Sequence, residues 1–223
     1  MPYILNIETS TTVCSVSVSE NSRLLHFKEI NNGYTHAENL HVFIEETLKE
    51  LQVKPSELTA VSVSRGPGSY TGLRIGVSAA KGLAYALNIP LISVDTLQIM
   101  AQAVSNREEN SVYCPMLDAR RMEVYTCVYD HKLDPKQPIE AIIVDENSIQ
   151  KFKTYSKIYF FGDGMPKCRE LLRNLDNAQF VDNIYPSSKY MCNLKKKKLI
   201  NQKFENSAYF EPFYLKDFLV NKS

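Results

Sequence analysis

Hydrophobic and polar residues along the first third of the chain follow strand periods and then a helix period. Tyr3–Ile7 is a mostly apolar run, Val13–Ser19 reads Val, Cys, Ser, Val, Ser, Val, Ser, and Leu24–Ile30 follows after a tight turn. These three segments predict consecutive strands. Thr35 with Glu38 three residues later then predicts a helix N-terminus. The residues that recur at helical spacing up to Pro55 are Ala37, Leu40, His41, Ile44, Leu48 and Leu51.

A second helix follows a short apolar strand at Ala60–Ser64 and carries a stripe of small residues. The stripe recurs every four positions and consists of Gly68, Gly72, Gly76, Ala80 and Ala84. Glycine inside a helix costs about 0.5–1 kcal/mol relative to alanine, so the stripe indicates close approach by another element. Two neighbours remain open at this point, the sheet of the same domain and another protein.

The rest of the chain repeats the order of elements found in its first part. Pro90–Val94 predicts a strand, and a helix begins near Thr96. The polar segment Asn106–Ser111 marks a boundary, which predicts subdomains 1–106 and 107–223. The elements predicted after that boundary are strands at Val112–Leu117, Glu123–Tyr129, Ile139–Val144 and Lys157–Phe161, a helix or turn at Ser148–Tyr155, and a helix at Pro166–Asn174. This doubled βββαβα plan is that of the α/β superfold of actin, Hsp70 and sugar kinases, in which a nucleotide usually lies between the halves.

Composition narrows the class of protein without naming a function. The chain of 223 residues has a formal net charge of +1, which provides no global field that would attract nucleic acid or an anionic membrane. The cysteines number five and form no C-x-x-C pair, as expected for reduced thiols in the cytoplasm. No apolar segment approaches the length of a membrane span, and the N-terminus lacks the pattern of a signal peptide.

Several motifs, in order along nearly the whole chain, closely resemble the TsaB family, also called YeaZ. They are Ile7–Ser10, the segment from Ser64 to Leu87, Pro90–Leu97, Gly162–Gly164 and Glu211–Lys216. Proteins of this family are non-catalytic partners of the larger paralogue TsaD in forming threonylcarbamoyladenosine on tRNAs that read codons beginning with A. The resemblance implies the same role here, with a TsaD-like partner, a TsaE-like ATPase and tRNA reached through the complex, and a homodimer when the chain is alone.

One departure from the TsaD pattern argues against catalysis by this chain. After the strand that matches Pro90–Val94, TsaD-like proteins carry two metal-binding histidines four residues apart on a helix. Thr96 and Met100 stand at those positions, and a hydroxyl with a thioether is a poor ligand set for a hard divalent metal. No H-x-x-x-H or H-E-x-x-H pattern occurs in the sequence, so a metallopeptidase is also excluded.

A weak nucleotide cleft remains a second hypothesis. TsaD-like proteins have an acidic pair in the first hairpin where this chain has Thr12 and Val13, which argues against ATP hydrolysis by this chain alone. Glu8 is interpreted as a buried carboxylate bonded to nearby N–H groups. No cofactor is required on this interpretation, although weak ATP or ADP binding and a stand-alone phosphotransferase-like protein stay open. The residues assigned to this cleft are Glu8, Thr9, Ser10, Gly162, Asp163 and Gly164.

The partner surface is assigned to the two helices that flank the Ala60–Ser64 strand. In the family these helices pack against the equivalent helices of TsaD or of a second TsaB. Replacing Gly72 with leucine is then expected to abolish partner binding and to leave the monomer folded. The lysine run Lys195–Lys198 has two interpretations, a solvated helix face and a contact to tRNA phosphates. The residues assigned to the partner surface are Tyr34, His36, Leu40, Phe43, Gly68, Tyr70, Gly72, Arg74 and Gly76.

Overall fold

The computed structural model describes residues 2–33 and 35–216, with only the backbone for Lys196 and Lys197. The chain divides into two compact units. The first contains the residues up to Ile99 and the described residues from Pro186 onward, and the second is Met100–Tyr185.

The first unit is built on a five-stranded sheet with strand order β3-β2-β1-β4-β5. Its strands are β1 (Tyr3–Glu8), β2 (Val13–Glu20), β3 (Arg23–Asn31), β4 (Leu58–Gly66) and β5 (Leu91–Asp95). The first three strands are antiparallel, and β1 pairs in parallel with β4, as β4 does with β5. The antiparallel neighbours follow short turns, whereas the parallel ones follow helical crossovers.

Two helices cover one face of this sheet, α1 (His36–Glu50) and α2 (Tyr70–Leu87). The stripe Leu40, Ile44 and Leu48 of α1 is buried in the core with apolar residues of β1, β2 and β4, as its helical spacing predicts. The side chain of Ser69 caps α2 by accepting a hydrogen bond from the Gly72 amide. By contrast, Thr35 occupies the N-cap position of α1 without a side-chain cap, so the predicted capping box is wrong.

The C-terminal part of the chain returns to the first unit. After a 3-10 turn at Ser188–Tyr190, helix α5 (Met191–Ile200) packs against β5 on the face opposite α1 and α2. The predicted assignment of 107–223 to a single subdomain is therefore wrong from Pro186 onward. The cause is physical, because side chains of α5 make hydrogen bonds and apolar contacts with β1, β2 and β5.

The second unit repeats the topology of the first. Its sheet has the order β10-β9-β6-β7-β8, which in reverse matches the order β3-β2-β1-β4-β5 position by position. Its elements are β6 (Val112–Asp118), β7 (Glu123–Thr126), β8 (Glu140–Ile143), β9 (Ile158–Phe161), α4 (Met165–Leu172) and β10 (Ala178–Val181). Helix α3 (Thr96–Ala103) crosses the boundary between the units, and a 3-10 helix at Ser148–Thr154 stands where the first unit has α1. The predicted doubled α/β plan is confirmed.

Candidate functional site

The glycine stripe of α2 packs against the turn between β1 and β2. A Cβ atom placed on Gly72 would lie 2.2 Å from the carbonyl oxygen of Thr9, and one on Gly76 would lie 2.2 Å from Thr9 Oγ1. A Cβ on Gly68 would lie 2.2 Å from the carbonyl oxygen of Ser10. The Thr9 hydroxyl also donates a hydrogen bond to the Gly72 carbonyl at 2.8 Å. The stripe therefore seats the helix on its own sheet, one of the two alternatives that the sequence leaves open.

The same packing corrects much of the predicted partner surface. His36 is buried against this turn, with Nε2 2.7 Å from the Thr11 carbonyl oxygen, and Leu40 lies in the core. Phe43 is half-buried on another side of α1, beside Phe27 of β3. A partner cannot reach side chains that are already covered by their own unit. The residues that are therefore not available to a partner are His36, Leu40, Gly72 and Gly76. Gly68 is excluded as well, because its backbone packs on Ser10. Tyr34 lies outside the described residues.

An apolar groove of about 650 Å³ runs between α1 and α2 on the outer side of these helices. Four of its nine lining residues have small side chains or none, and the only charged or titratable groups in its lining are Arg74 and His41. Of the residues predicted for the partner surface, Arg74 lines the groove, and Tyr70 lies beside Arg74 with its ring 4.2 Å from the guanidinium carbon. The groove residues are Ala37, His41, Ile44, Arg74, Ile75, Ser78, Ala79, Gly82 and Leu83.

Sequence reasoning missed most of this groove, although one signal was present. Gly82 is a third glycine in the interior of α2, and it does not belong to the stripe of Gly72 and Gly76. A Cβ on Gly82 would meet nothing within 4 Å, so no internal packing accounts for the missing side chain. An unexplained helix glycine next to the exposed Ser78 indicates a surface that another helix can approach closely.

Glu8 lies fully buried at the end of β1. Its Oε1 accepts a hydrogen bond from the Ser10 amide at 2.6 Å, whereas Oε2 has no partner within hydrogen-bonding distance among the described residues. Burial raises the pKa of this carboxyl to about 7, and the nearby Ser10 and Ser64 hydrogen-bonding groups limit the rise. The expectation of a buried carboxylate that accepts from a neighbouring amide is confirmed. Near neutral pH, a large part of the population carries a proton on Glu8.

We expect Glu8 to make the folded protein less stable as the pH rises from about 4.5 to 7. Below pH 4.5 the carboxyl is protonated in both folded and unfolded chains, whereas above pH 7 the folded state must bury a charge. A shift from 4.5 to about 7 corresponds to about 3 kcal/mol. Glu8→Gln keeps the acceptor for the Ser10 amide, so urea denaturation should find it more stable than wild type at pH 8 and similar at pH 4.5.

The exposed Glu45 of α1 provides the matched control for this comparison. Glu45→Gln changes the net charge by the same amount without removing a buried group. Parallel curves of unfolding free energy against pH for wild type and Glu8→Gln would contradict the assignment to Glu8.

The β1–β2 turn does not fit the backbone geometry that a phosphate requires. The Ser10 amide is engaged by Glu8, and the Val13 amide donates to the Thr11 hydroxyl at 3.2 Å. Phosphate loops present free N–H groups to the anion. In this turn two amides are satisfied internally and the adjacent buried group is a carboxyl, which opposes the binding of a phosphate.

In the second unit, the Gly162–Gly164 loop is also packed closely. A Cβ on Gly162 would lie 2.3 Å from the Met116 carbonyl oxygen, and the Gly164 amide donates to that oxygen at 3.0 Å. Asp163 accepts a hydrogen bond from the Asp118 amide at 3.1 Å, and burial raises the pKa of Asp163. The close approach of the loop to β6 therefore explains why glycine occupies these positions.

The positions matching the TsaD metal ligands are occupied by buried side chains. Thr96 and Met100 both have no exposed surface. Within residues 2–33 and 35–216, no group of three His, Cys, Asp or Glu side chains could hold a metal ion. None of the helices in that part of the chain combines the length and the apolar character needed to span a bilayer.

Two lysines of the Lys195–Lys198 run face inward. At these two positions the side chains are neither on a solvated helix face nor placed to contact tRNA phosphates, so both sequence interpretations are wrong there. Lys195 is fully buried and donates to Asn6 Oδ1 at 2.7 Å and to Ser19 Oγ, and burial lowers its pKa to about 8. Lys198 donates to the Ser93 carbonyl oxygen at 2.6 Å. These ammonium groups anchor α5 to the sheet and are not placed to contact RNA phosphates.

Comparisons with known proteins agree with the motifs. Residues 32–220 match the family model described as TsaD, tRNA N6-adenosine threonylcarbamoyltransferase. The tRNA threonylcarbamoyladenosine biosynthesis protein TsaB of Buchnera aphidicola subsp. Baizongia pistaciae is 32% identical over 96% of this chain and 98% of that protein. Five further TsaB proteins match over 51% to 89% of their own length. The tRNA N6-adenosine threonylcarbamoyltransferase of Phocaeicola vulgatus is 34% identical over 48% of this chain and 37% of that protein.

A solved structure shares the fold. YeaZ from Pseudomonas aeruginosa superimposes with a TM-score of 0.78 at 24% identity, covering 96% of this chain and 100% of that chain. The sequence match extends over nearly the full length of the Buchnera protein, through both units and the C-terminal segment. The chain belongs to the TsaB family of tRNA threonylcarbamoyladenosine biosynthesis proteins.

Proposed function

We propose that this chain is a non-catalytic subunit that binds a TsaD-like transferase through the α1–α2 groove and so supports formation of threonylcarbamoyladenosine on tRNAs that read codons beginning with A. The groove is the observation that carries the proposal. It is apolar, about 650 Å³ in volume and bordered by Ala37, Ser78 and Gly82, whose small side chains allow a partner helix to approach closely. Apolar grooves between helices are a recurrent receptor for amphipathic helices.

The side chains at the positions of the metal-binding histidines support the non-catalytic part of the proposal. Thr96 and Met100 replace the histidines expected of a catalytic paralogue, and both are buried. Transfer of the threonylcarbamoyl group would then be the task of the partner, with tRNA and a TsaE-like ATPase joining through the complex. No cofactor is required by the chain itself on this proposal.

Weak ATP or ADP binding, and with it a stand-alone phosphotransferase-like function, is the alternative. The internal hydrogen bonds of the Ser10 and Val13 amides argue against a phosphate site at the β1–β2 turn. Isothermal titration of the chain with ATP and magnesium separates the two proposals. We expect no heat of binding up to about millimolar nucleotide, and a saturable isotherm would favour the alternative.

The direct test is assembly with the TsaD-like transferase of the same organism. Size-exclusion chromatography with light scattering should give a heteromer, and any homodimer of the chain alone should be replaced by it. Threonylcarbamoyladenosine should form on tRNA in the reconstituted reaction only when the transferase is present. Activity of the chain without the transferase would refute the non-catalytic role, and persistent failure to associate would refute docking.

A further inference from the structure

The described C-terminal residues form a strap, defined here as Glu205–Lys216, that runs back along α2. Lys81 of α2 donates to the Phe210 carbonyl oxygen at 2.9 Å. The Phe213 amide donates to the Arg65 carbonyl oxygen at 2.7 Å, at the end of β4. The strap is therefore fixed to the helix that forms one wall of the α1–α2 groove.

The end of the strap holds a guanidinium at the edge of that groove. The Tyr214 ring lies 4.7 Å from the Tyr70 ring, centroid to centroid, and the Arg74 guanidinium carbon lies 4.2 Å from the Tyr70 centroid. Tyr214 therefore packs against the ring on which the Arg74 guanidinium lies. Two aromatic side chains thus restrict one exposed arginine, which lowers the entropy that Arg74 would lose on binding.

Arg74 has no ion-pair partner among the described residues, although it is the only permanently charged side chain in the lining of the groove. Glu211 acts on it only through longer-range charge. A helix that covers the apolar groove would remove water from this guanidinium, and a desolvated cation without a compensating anion is costly. A partner of complementary chemistry must therefore bring an anionic group to this end of the groove.

We propose that Arg74, positioned by Tyr214 and Tyr70, receives a carboxylate side chain from the protein that docks in the α1–α2 groove. The inference rests on the docking proposed above, and it adds that the partner places a carboxylate against Arg74. A planar guanidinium donates two parallel hydrogen bonds to a carboxylate, which favours arginine over lysine. Tyr214 is a positioning residue, since it acts through the Tyr70 ring that lies against Arg74. The apolar lining favours a protein side chain over an RNA phosphate.

The first experiment measures affinity for the TsaD-like transferase by surface plasmon resonance in Arg74→Gln, Arg74→Lys and wild type. Loss of one partner of a hydrogen-bonded interfacial ion pair should raise the Kd by about 30-fold or more in Arg74→Gln. Arg74→Lys should recover part of this loss. The affinity should also depend less on salt in Arg74→Gln than in wild type, because one charge pair is gone.

The second experiment separates positioning from general stability. Tyr214→Ala removes the ring that packs against Tyr70 behind Arg74, and Tyr209→Ala removes a ring from the same strap at a side chain that is 83% exposed. Tyr214→Ala should raise the Kd about 3- to 10-fold in the wild-type background and have no effect in Arg74→Gln, while Tyr209→Ala should have none in either. An equal effect of Tyr214→Ala in both backgrounds would overturn its role.

A charge swap identifies the anion. Arg74→Glu should abolish binding to the wild-type transferase, and one Asp→Arg or Glu→Arg variant of the transferase should restore it. Wild-type affinity and salt dependence in Arg74→Gln would overturn the proposal while leaving docking intact. An effect of Arg74→Gln only in the presence of tRNA would also overturn it and assign the anion to an RNA phosphate. If the wild-type chain does not bind the transferase, the docking proposal itself fails.

Discussion

Replacing Gly72 with alanine is expected to lower the free energy of unfolding by about 3 kcal/mol, whereas the same change at Gly82 in the same helix is expected to raise it by about 1 kcal/mol. At Gly72 the new Cβ would lie 2.2 Å from the backbone carbonyl oxygen of Thr9, so the helix or the turn must move. At Gly82 the new Cβ meets nothing within 4 Å, and alanine contributes its better helix propensity. Two alanines ten residues apart should therefore have opposite effects.

Gly76→Ala provides an intermediate case. Its Cβ would lie 2.2 Å from Thr9 Oγ1, a side-chain atom that can rotate away at the cost of its hydrogen bond to the Gly72 carbonyl. Thermal unfolding should rank the variants Gly82→Ala, wild type, Gly76→Ala and Gly72→Ala from most to least stable. In a chain of this size the loss at Gly72 corresponds to a fall in Tm of about 6–12 °C. An unchanged Tm for Gly72→Ala would contradict the internal packing of the stripe.

The sequence predicts most of the first sheet because its strands carry strong local signals. The serine alternation of β2 follows from a strand with two different faces, and the structure places Val16 and Val18 in the α1–α2 core and Ser17 and Ser19 opposite. β10 was missed because Ala178–Val181 has four residues and no alternation. Local periodicity cannot reveal a short strand whose stability comes from its pairing with β9.

The candidate site was predicted less well than the fold, because its contacts join residues that are far apart in the sequence. Spacing along α2 indicates that something approaches Gly72 closely, but Thr9 is 63 residues away in the sequence. The same limit applies to Lys195, which sits in a run typical of a solvated helix and yet bonds Asn6 in the first strand. Helical spacing assigns residues to faces, whereas only the tertiary structure decides which face a neighbour covers.

Gly82→Arg is expected to raise the Kd for the TsaD-like transferase by about 30-fold or more without unfolding the chain. The substitution places a long side chain in the α1–α2 groove, where a partner helix would otherwise pack against the small residues Ser78 and Ala79. Changes at the centre of a helix interface commonly cost about 2 kcal/mol or more, which is the basis of the estimate of about 30-fold. Arginine is a good helix former, and the position is open, so the folded state has no reason to be destabilised.

Ala86→Arg is the matched control, because Ala86 is exposed on the same helix one turn later and does not line the groove. Both variants add the same charge and side chain to α2, so a difference between them reports on position alone. Equal affinity of Gly82→Arg and Ala86→Arg, with wild-type Tm in both, would place the partner on another surface. A loss confined to Gly82→Arg, together with a stabilised Gly82→Ala, would mean that this glycine is kept for the partner and not for the fold.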